Sequence, residues 1–164
     1  MALSIRDVEP ADAEAVCAVI NPIIEARLYT VFDAPFEIDA ERDYISGFPA
    51  RGVWKVAVQG ARVVGFQLIE PLVSYTKALD HVGSVGTYVD LALRRQGVAT
   101  ALFAATFEAA RTKGYEKLFT FVRADNPAAI ATYQAHGFEI IGTARRHAKI
   151  DGRYVDEWMI ERHL

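Results

Sequence analysis

The stretch from Val85 to Val122 constrains this chain more than any other. An apolar run, Val85 to Leu91, leads into the basic turn Arg94-Arg95-Gln96-Gly97, and a helical run, Val98 to Lys113, follows. Gly114 stands where helices commonly end. Lys117 to Val122 (Lys-Leu-Phe-Thr-Phe-Val) is a short apolar strand. Strand, helix and strand in that order predict a right-handed parallel crossover within one sheet.

The remaining segments add strands and coverings to that unit. Leu3 to Arg6 alternates and predicts a short strand. A helix begins at Pro10, and Val16, Val19, Ile20, Ile23 and Ile24 form one apolar stripe at helical spacing. Pro22 interrupts the stripe and predicts a kink or a split. Leu28 to Glu37 is a loop rich in aromatics, with Tyr29, Phe32 and Phe36. Asp39 is expected to cap a second helix that carries Tyr44, Ile45 and Phe48 and ends near Gly52. Val53–Val58 and Val63–Glu70 form a hairpin about Gln59-Gly60-Ala61. A Tyr75–Leu79 segment precedes a strand from about Val82 to Leu91. Asn126-Pro127 starts a helix that ends at His136-Gly137. Phe138–Lys149 and Arg153–Arg162 are strands flanking the turn Asp151-Gly152. An order of β, α, α, three or more strands, then α, β, α, β, β is an α/β pattern, best packed as one sheet with helices on both faces.

The chain has 164 residues, 52% hydrophobic and 24% charged, which predicts one domain over residues 1–164. A net charge of −3 disfavours a nucleic-acid binder, which needs clustered positive surface. Cys17 is the single cysteine, so no internal disulfide forms, and its apolar helical neighbours predict a small buried side chain. Met1 to Val8 lacks the pattern of a secretory signal, and no apolar run approaches the ~20 residues of a membrane span. A cytoplasmic protein with no membrane partner is expected.

Two constellations carry chemistry. At Arg94 to Ala99 a helix starts beside positive side chains, a site for a phosphate or pyrophosphate. A Walker loop would need Gly-Lys-Ser/Thr, and a dinucleotide fingerprint needs three glycines with an acidic residue ~20 positions on. Neither is present. Gly97 instead lets a ligand approach the backbone, and Ala99 is too small to block it. In the helix after Asn126, Ala129, Tyr133 and His136 share a face, and small alanines leave room for a ligand beside Tyr133. A tyrosine hydroxyl, with an unperturbed pKa of about 10, can protonate a thiolate leaving group. His136 is expected to bond the last carbonyls of its helix.

Val89-Asp90-Leu91-Ala92-Leu93-Arg94-Arg95-Gln96-Gly97-Val98-Ala99, followed by Asn126 through Phe138, resembles the GNAT acetyltransferase superfamily. Gly137 through Gly142 and Asp151 through Asp156 resemble its branch of phosphinothricin and related amino-acid N-acetyltransferases. The resemblance implies a single mixed, mostly antiparallel sheet with a parallel, splayed central pair. It implies an acetyl-CoA-dependent N-acetyltransferase acting by direct attack of a primary amine, such as that of an amino acid or analogue, with no metal. Backbone groups of Val89 and Leu91 would pair with the pantetheine arm. Amides of Arg94, Arg95, Gln96, Gly97, Val98 and Ala99 would hold the pyrophosphate. Asn126 would contact the CoA arm, and Tyr133 would act as general acid.

Departures from the branch are Ala99 for the second loop glycine, Arg95 for a frequent glycine, and Tyr133 for a frequent histidine. Ser84 and Val85 stand where the branch tends to carry a catalytic carboxylate, so Glu70, Asp80, His81 or a water is left as the base. Tyr29, Phe32 and Tyr75 are expected to border the acceptor. Two rival readings are an acetyl-CoA sensor without transferase activity and a protein N-terminal acetyltransferase. The last two strands offer a surface for a homodimer.

Overall fold

A computed structural model describes residues 1–164. Seven strands form one sheet: β1 (Leu3–Asp7), β2 (Val53–Gln59), β3 (Arg62–Pro71), β4 (Val82–Val89), β5 (Lys117–Arg123), β6 (Glu139–Ile150) and β7 (Arg153–His163). Their spatial order is β1-β2-β3-β4-β5-β7-β6. The helices are α1 (Ala13–Glu25), α2 (Ile38–Ser46), α3 (Val98–Thr112) and α4 (Pro127–Ala135). Only β4 and β5 pair in parallel; every other neighbouring pair is antiparallel.

That parallel pair is short, and its end positions the site. Val82, Gly83 and Ser84 pair with Lys117, Leu118 and Phe119, and the two strands part after Ser84. Beyond that fork β4 continues to Val89, paired with β3 alone. The Asp90 amide donates to the Val64 carbonyl at 2.9 Å, so the backbone of Asp90 faces β3. Facing alternates along an antiparallel ladder. The amides and carbonyls of Thr87 and Val89 therefore face the other way, into the gap between the parted strands. These backbone groups have no strand partner and are free to bond a ligand in the gap.

Alternation also sorts the core into layers on the two sheet faces. Trp54, Val56 and Phe66 pack with α1 and α2. Val53, Ile69, Val85 and Leu118 pack with α3 and α4 on the opposite face. The α1 stripe Val16, Val19, Ile20, Ile23 and Ile24 is at most 3% exposed. Each such side chain contributes roughly 1.5–3 kcal/mol of burial. Cys17 lies in the same helix, 3% exposed, and burial raises its thiol pKa above the ordinary value.

Local signals set most element ends. Asn126 Oδ1 accepts the Ala129 amide at 3.2 Å, with Pro127 in the first helical position. Gly114 closes α3 in the left-handed region, φ 88°. His136 Nδ1 lies 2.8 Å from the Thr132 carbonyl at the end of α4. Three expectations are corrected. Pro22 does not split α1, which continues to Glu25; it lies in the last turn, where one lost hydrogen bond is tolerated. The residue before α2 is Glu37 rather than Asp39, and α2 ends at Ser46 with Gly47 following, leaving Phe48 outside the helix. Pro49 disfavours helical backbone at Phe48, which explains the early stop. Finally, β4 ends at Val89, and Leu91 to Leu93 form a 3₁₀ turn capped by Asp90, whose Oδ1 accepts the Ala92 amide.

Candidate active site

A cavity of about 1440 Å³ opens where β4 and β5 part. Its walls include β4 from Ser84 to Val89, the start of α3, one face of α4 and the loop between α1 and α2. The sheet divides it into a side toward α3 and α4 and a side toward α1 and α2.

At the first side the chain makes a sharp basic turn. Arg95 (φ 60°) and Gly97 (φ 83°) are both left-handed. Gly97 is the residue before α3 and has no side chain to cap it. The first amides of a helix have no intrahelical partner, so those of Val98, Ala99 and Thr100 are free to bind an anion, which the helix dipole also favours. A Cβ on Gly97 would meet nothing within 4 Å, so a ligand can approach the backbone. The Arg94 guanidinium lies 3.9 Å above the Tyr29 ring, which ties this turn to the aromatic loop.

Above the fork, the Tyr133 hydroxyl is hydrogen-bonded to Thr87 Oγ1 at 3.0 Å. Burial pushes the Tyr133 pKa up to about 12, against a lowering by the Thr87 bond. At neutral pH the phenol therefore holds its proton. Phe103 packs edge-on against Tyr133 at 5.5 Å and stacks on His136 at 4.2 Å, which fixes the ring. Thr87 also accepts from Gln67 Nε2 at 2.7 Å. Gln67 Oε1 in turn accepts the Thr106 hydroxyl. Gln67 and Thr106 are 0% exposed, so this polar chain runs through the core from α3 to the Tyr133 ring. Thr106→Val should leave Gln67 Oε1 without a partner and cost about 1–3 kcal/mol. Urea unfolding at an unchanged midpoint would contradict this.

On the other side, β3 and β4 present Phe66, Leu68, Glu70, Ser84, Gly86 and Tyr88 toward α1 and α2, since Phe66 pairs with Tyr88, Leu68 with Gly86 and Glu70 with Ser84. Tyr44 of α2 donates to Glu70 Oε1 at 2.5 Å. Glu41, one helical turn earlier, is 5% exposed and lines the cavity, and its carboxylate has no hydrogen-bond or ion-pair partner. Burial alone raises its pKa above the ordinary value. Tyr88 lines the same space, and burial, then Tyr133, Glu41 and Glu70, raise its pKa. Across the fork, Glu157 is 6% exposed. Its pKa is raised by burial and opposed by His147 and Arg123.

The residues singled out from the sequence converge in part. Tyr133, Asn126, Val89, Arg94, Arg95, Gly97, Val98, Ala99, Tyr29 and Phe32 all line the cavity. Asn126 is 8% exposed; besides capping α4, its Nδ2 donates to the Tyr29 carbonyl at 3.5 Å. Leu91 and Gln96 border the turn without lining the cavity. Tyr75 is 82% exposed on the loop after β3, away from the cavity, because nothing apolar packs over that loop. Of the three base candidates, Glu70 lines the cavity. Asp80 and His81 do not: Asp80 lies 3.8 Å from Arg51, and His81 is exposed. Sequence reasoning passed over Glu41, Thr87 and Glu157. The signal for Glu41 was its position one turn before Tyr44 on a helix that begins beside the aromatic loop.

Comparison with known proteins gives a consistent pattern. Residues 23–138 match the Acetyltransferase (GNAT) family. YwnH of Bacillus subtilis, a candidate phosphinothricin acetyltransferase, is 25% identical over 99% of this chain and 99% of its own length. The L-amino acid N-acetyltransferase AaaT of Escherichia coli is 33% identical over 65% of each chain. A phosphinothricin acetyltransferase from Sinorhizobium meliloti, solved with acetyl-CoA, shares the fold at a TM-score of 0.90. It is 19% identical, and the match covers 100% of this chain and 89% of that one.

Proposed function

The chain belongs to the acetyltransferase (GNAT) family, and from that premise we propose that residues 1–164 act as one N-acetyltransferase domain that acetylates the primary amine of a small molecule by direct attack. What supports the reading is one juxtaposition: the free backbone edge of β4, the uncapped start of α3 and the protonated Tyr133 hydroxyl all border the same fork. Relatives named for phosphinothricin and L-amino acids support a small acceptor.

The residues fit acetyl-CoA. The amides of Arg94 through Ala99, with the Arg94 and Arg95 side chains, hold the pyrophosphate. Backbone groups at Val89 hold the pantetheine arm, with Leu91 at the turn beyond it, and Asn126 borders it. When bound, acetyl-CoA supplies a thioester carbonyl open to attack. Glu70 accepts a proton from the acceptor ammonium, directly or through water, so that the free amine can attack. A C–N bond forms as the C–S bond breaks. The Val89 amide polarises the carbonyl oxygen, and Tyr133 gives its proton to the departing sulfur. The amine loses two protons in all; one reaches solvent through Glu70, and the other replaces the proton that Tyr133 gave. Alignment of the two reactants supplies much of the acceleration.

Thiol release from acetyl-CoA, measured on a panel of small amines, amino acids and N-terminal peptides, tests this. Release with small amines is expected. Release with peptides alone would move the acceptor to protein N-termini. No release at normal acetyl-CoA affinity would leave a sensor. The reading also includes a cytoplasmic location and a homodimer through the exposed Ile140, Ile141 and Tyr154 of the last two strands. No helix is long and apolar enough to cross a membrane.

A further inference from the structure

The charges around the acceptor side of the cavity are one-sided. Glu41 and Glu70 both line it, and neither has a cation within ion-pair distance. No lysine lines the cavity, and its arginines are Arg94, Arg95 and Arg123. Arg94 and Arg95 belong to the anion-binding turn. Arg123 has its donors engaged: Nε and Nη2 on Asp125, and Nη1 on the carbonyls of Arg27 and Thr30. Of the histidines, His136 bonds the α4 backbone, and His147 stacks on Phe121 near Glu157 across the fork. An acceptor carboxylate would therefore meet two carboxylates and no available cation on the α1/α2 side.

Glu41 is the second observation beyond this charge pattern. It is 5% exposed and borders the cavity, and its carboxylate has no partner. A carboxylate in that position is costly to the fold unless a ligand compensates it. The walls around it are aromatic: Phe66 lies 5.0 Å from Tyr88, and Phe32 lies 6.4 Å from Tyr88. Ring faces attract a desolvated cation as well.

Resting on the transferase reading above, we propose that the acceptor is a diamine or polyamine without a carboxylate, its distal ammonium held by Glu41 among Phe32, Phe66 and Tyr88 while its reacting amine faces Glu70 at the fork. The proton and bond changes are those already given. The distal ammonium keeps its protons throughout and takes no part in the chemistry. Its binding energy orients the reacting end.

Thiol release with acetyl-CoA on three probes of similar length isolates the distal group: putrescine, n-butylamine and γ-aminobutyrate. Putrescine should exceed n-butylamine in kcat/KM by at least about tenfold, and γ-aminobutyrate should fall below n-butylamine by a similar factor. In Glu41→Gln the putrescine advantage should shrink to about threefold or less, mainly through KM. The folded-state pKa of Glu41 lies above its unfolded value, so ionisation at neutral pH costs stability, and that cost is absent below the unfolded pKa. Glu41→Gln should accordingly melt at or above the parent temperature at neutral pH, which separates lost binding from lost folding. Preference for n-butylamine, γ-aminobutyrate or α-amino acids over putrescine would overturn the diamine assignment and leave the transferase standing. An undiminished putrescine advantage in Glu41→Gln would overturn the role of that residue. No thiol release with any amine, at normal acetyl-CoA affinity, would overturn both.

Discussion

Gly97→Glu is expected to abolish acetyl-CoA binding. The backbone of Gly97 sits at φ 83°, so any side chain there strains the turn by about 1–2 kcal/mol. Strain alone would leave most binding intact. The larger effect is charge: a carboxylate would stand at the start of α3, beside the amides proposed to hold the pyrophosphate, and repel it. Because a Cβ there meets nothing within 4 Å, the fold itself should tolerate the change. Calorimetry should show no measurable heat for Gly97→Glu. Gly97→Asn, which accepts left-handed backbone and carries no charge, should bind within about tenfold of the parent. Normal affinity in Gly97→Glu would refute the turn as the pyrophosphate site.

Tyr133→Phe should lower kcat by about two orders of magnitude or more, the usual range for a lost general acid. The hydroxyl, not the ring, is at stake, since Phe103 and Phe138 pack against the ring and would pack against phenylalanine too. Acetyl-CoA affinity should stay within about threefold, because the proton is needed only as the C–S bond breaks. Stability should fall by about 1 kcal/mol through the lost bond to Thr87. An unchanged kcat would remove Tyr133 from the chemistry.

The turn and the capped helix that the proposed donor site uses are legible in the sequence, and for a local reason. A helix start with free amides is built from consecutive residues, so Arg94 through Ala99 contain the basic turn and its left-handed Gly97. Asn126-Pro127 likewise carries its own cap and first-turn geometry. Helical spacing within one element placed Tyr133 on a face with Ala129 and His136, and the family resemblance, not the spacing, implied its role. The acceptor half was not legible. Glu70, Asp80 and His81 were equal candidates along the chain. Pairing of Glu70 with Ser84 brings Glu70 to the fork, while Asp80 lies beside Arg51. Tyr75 and Tyr29 are both loop aromatics in sequence; one is 82% exposed and the other lies under Arg94.

Glu41 marks the boundary most sharply. Along α2 it stands among Asp39, Arg42 and Asp43 and reads as one more solvated charge. Only the packing of α2 beside α1 and the sheet buries it without a partner. By itself the amino-acid sequence determined the order of elements, the covered sheet and the basic turn before α3, because periodicity, caps and turns act over a few residues. Tertiary structure alone decided where β4 and β5 part and which carboxylates face the opening. Those depend on strand register and helix docking between residues far apart in the chain.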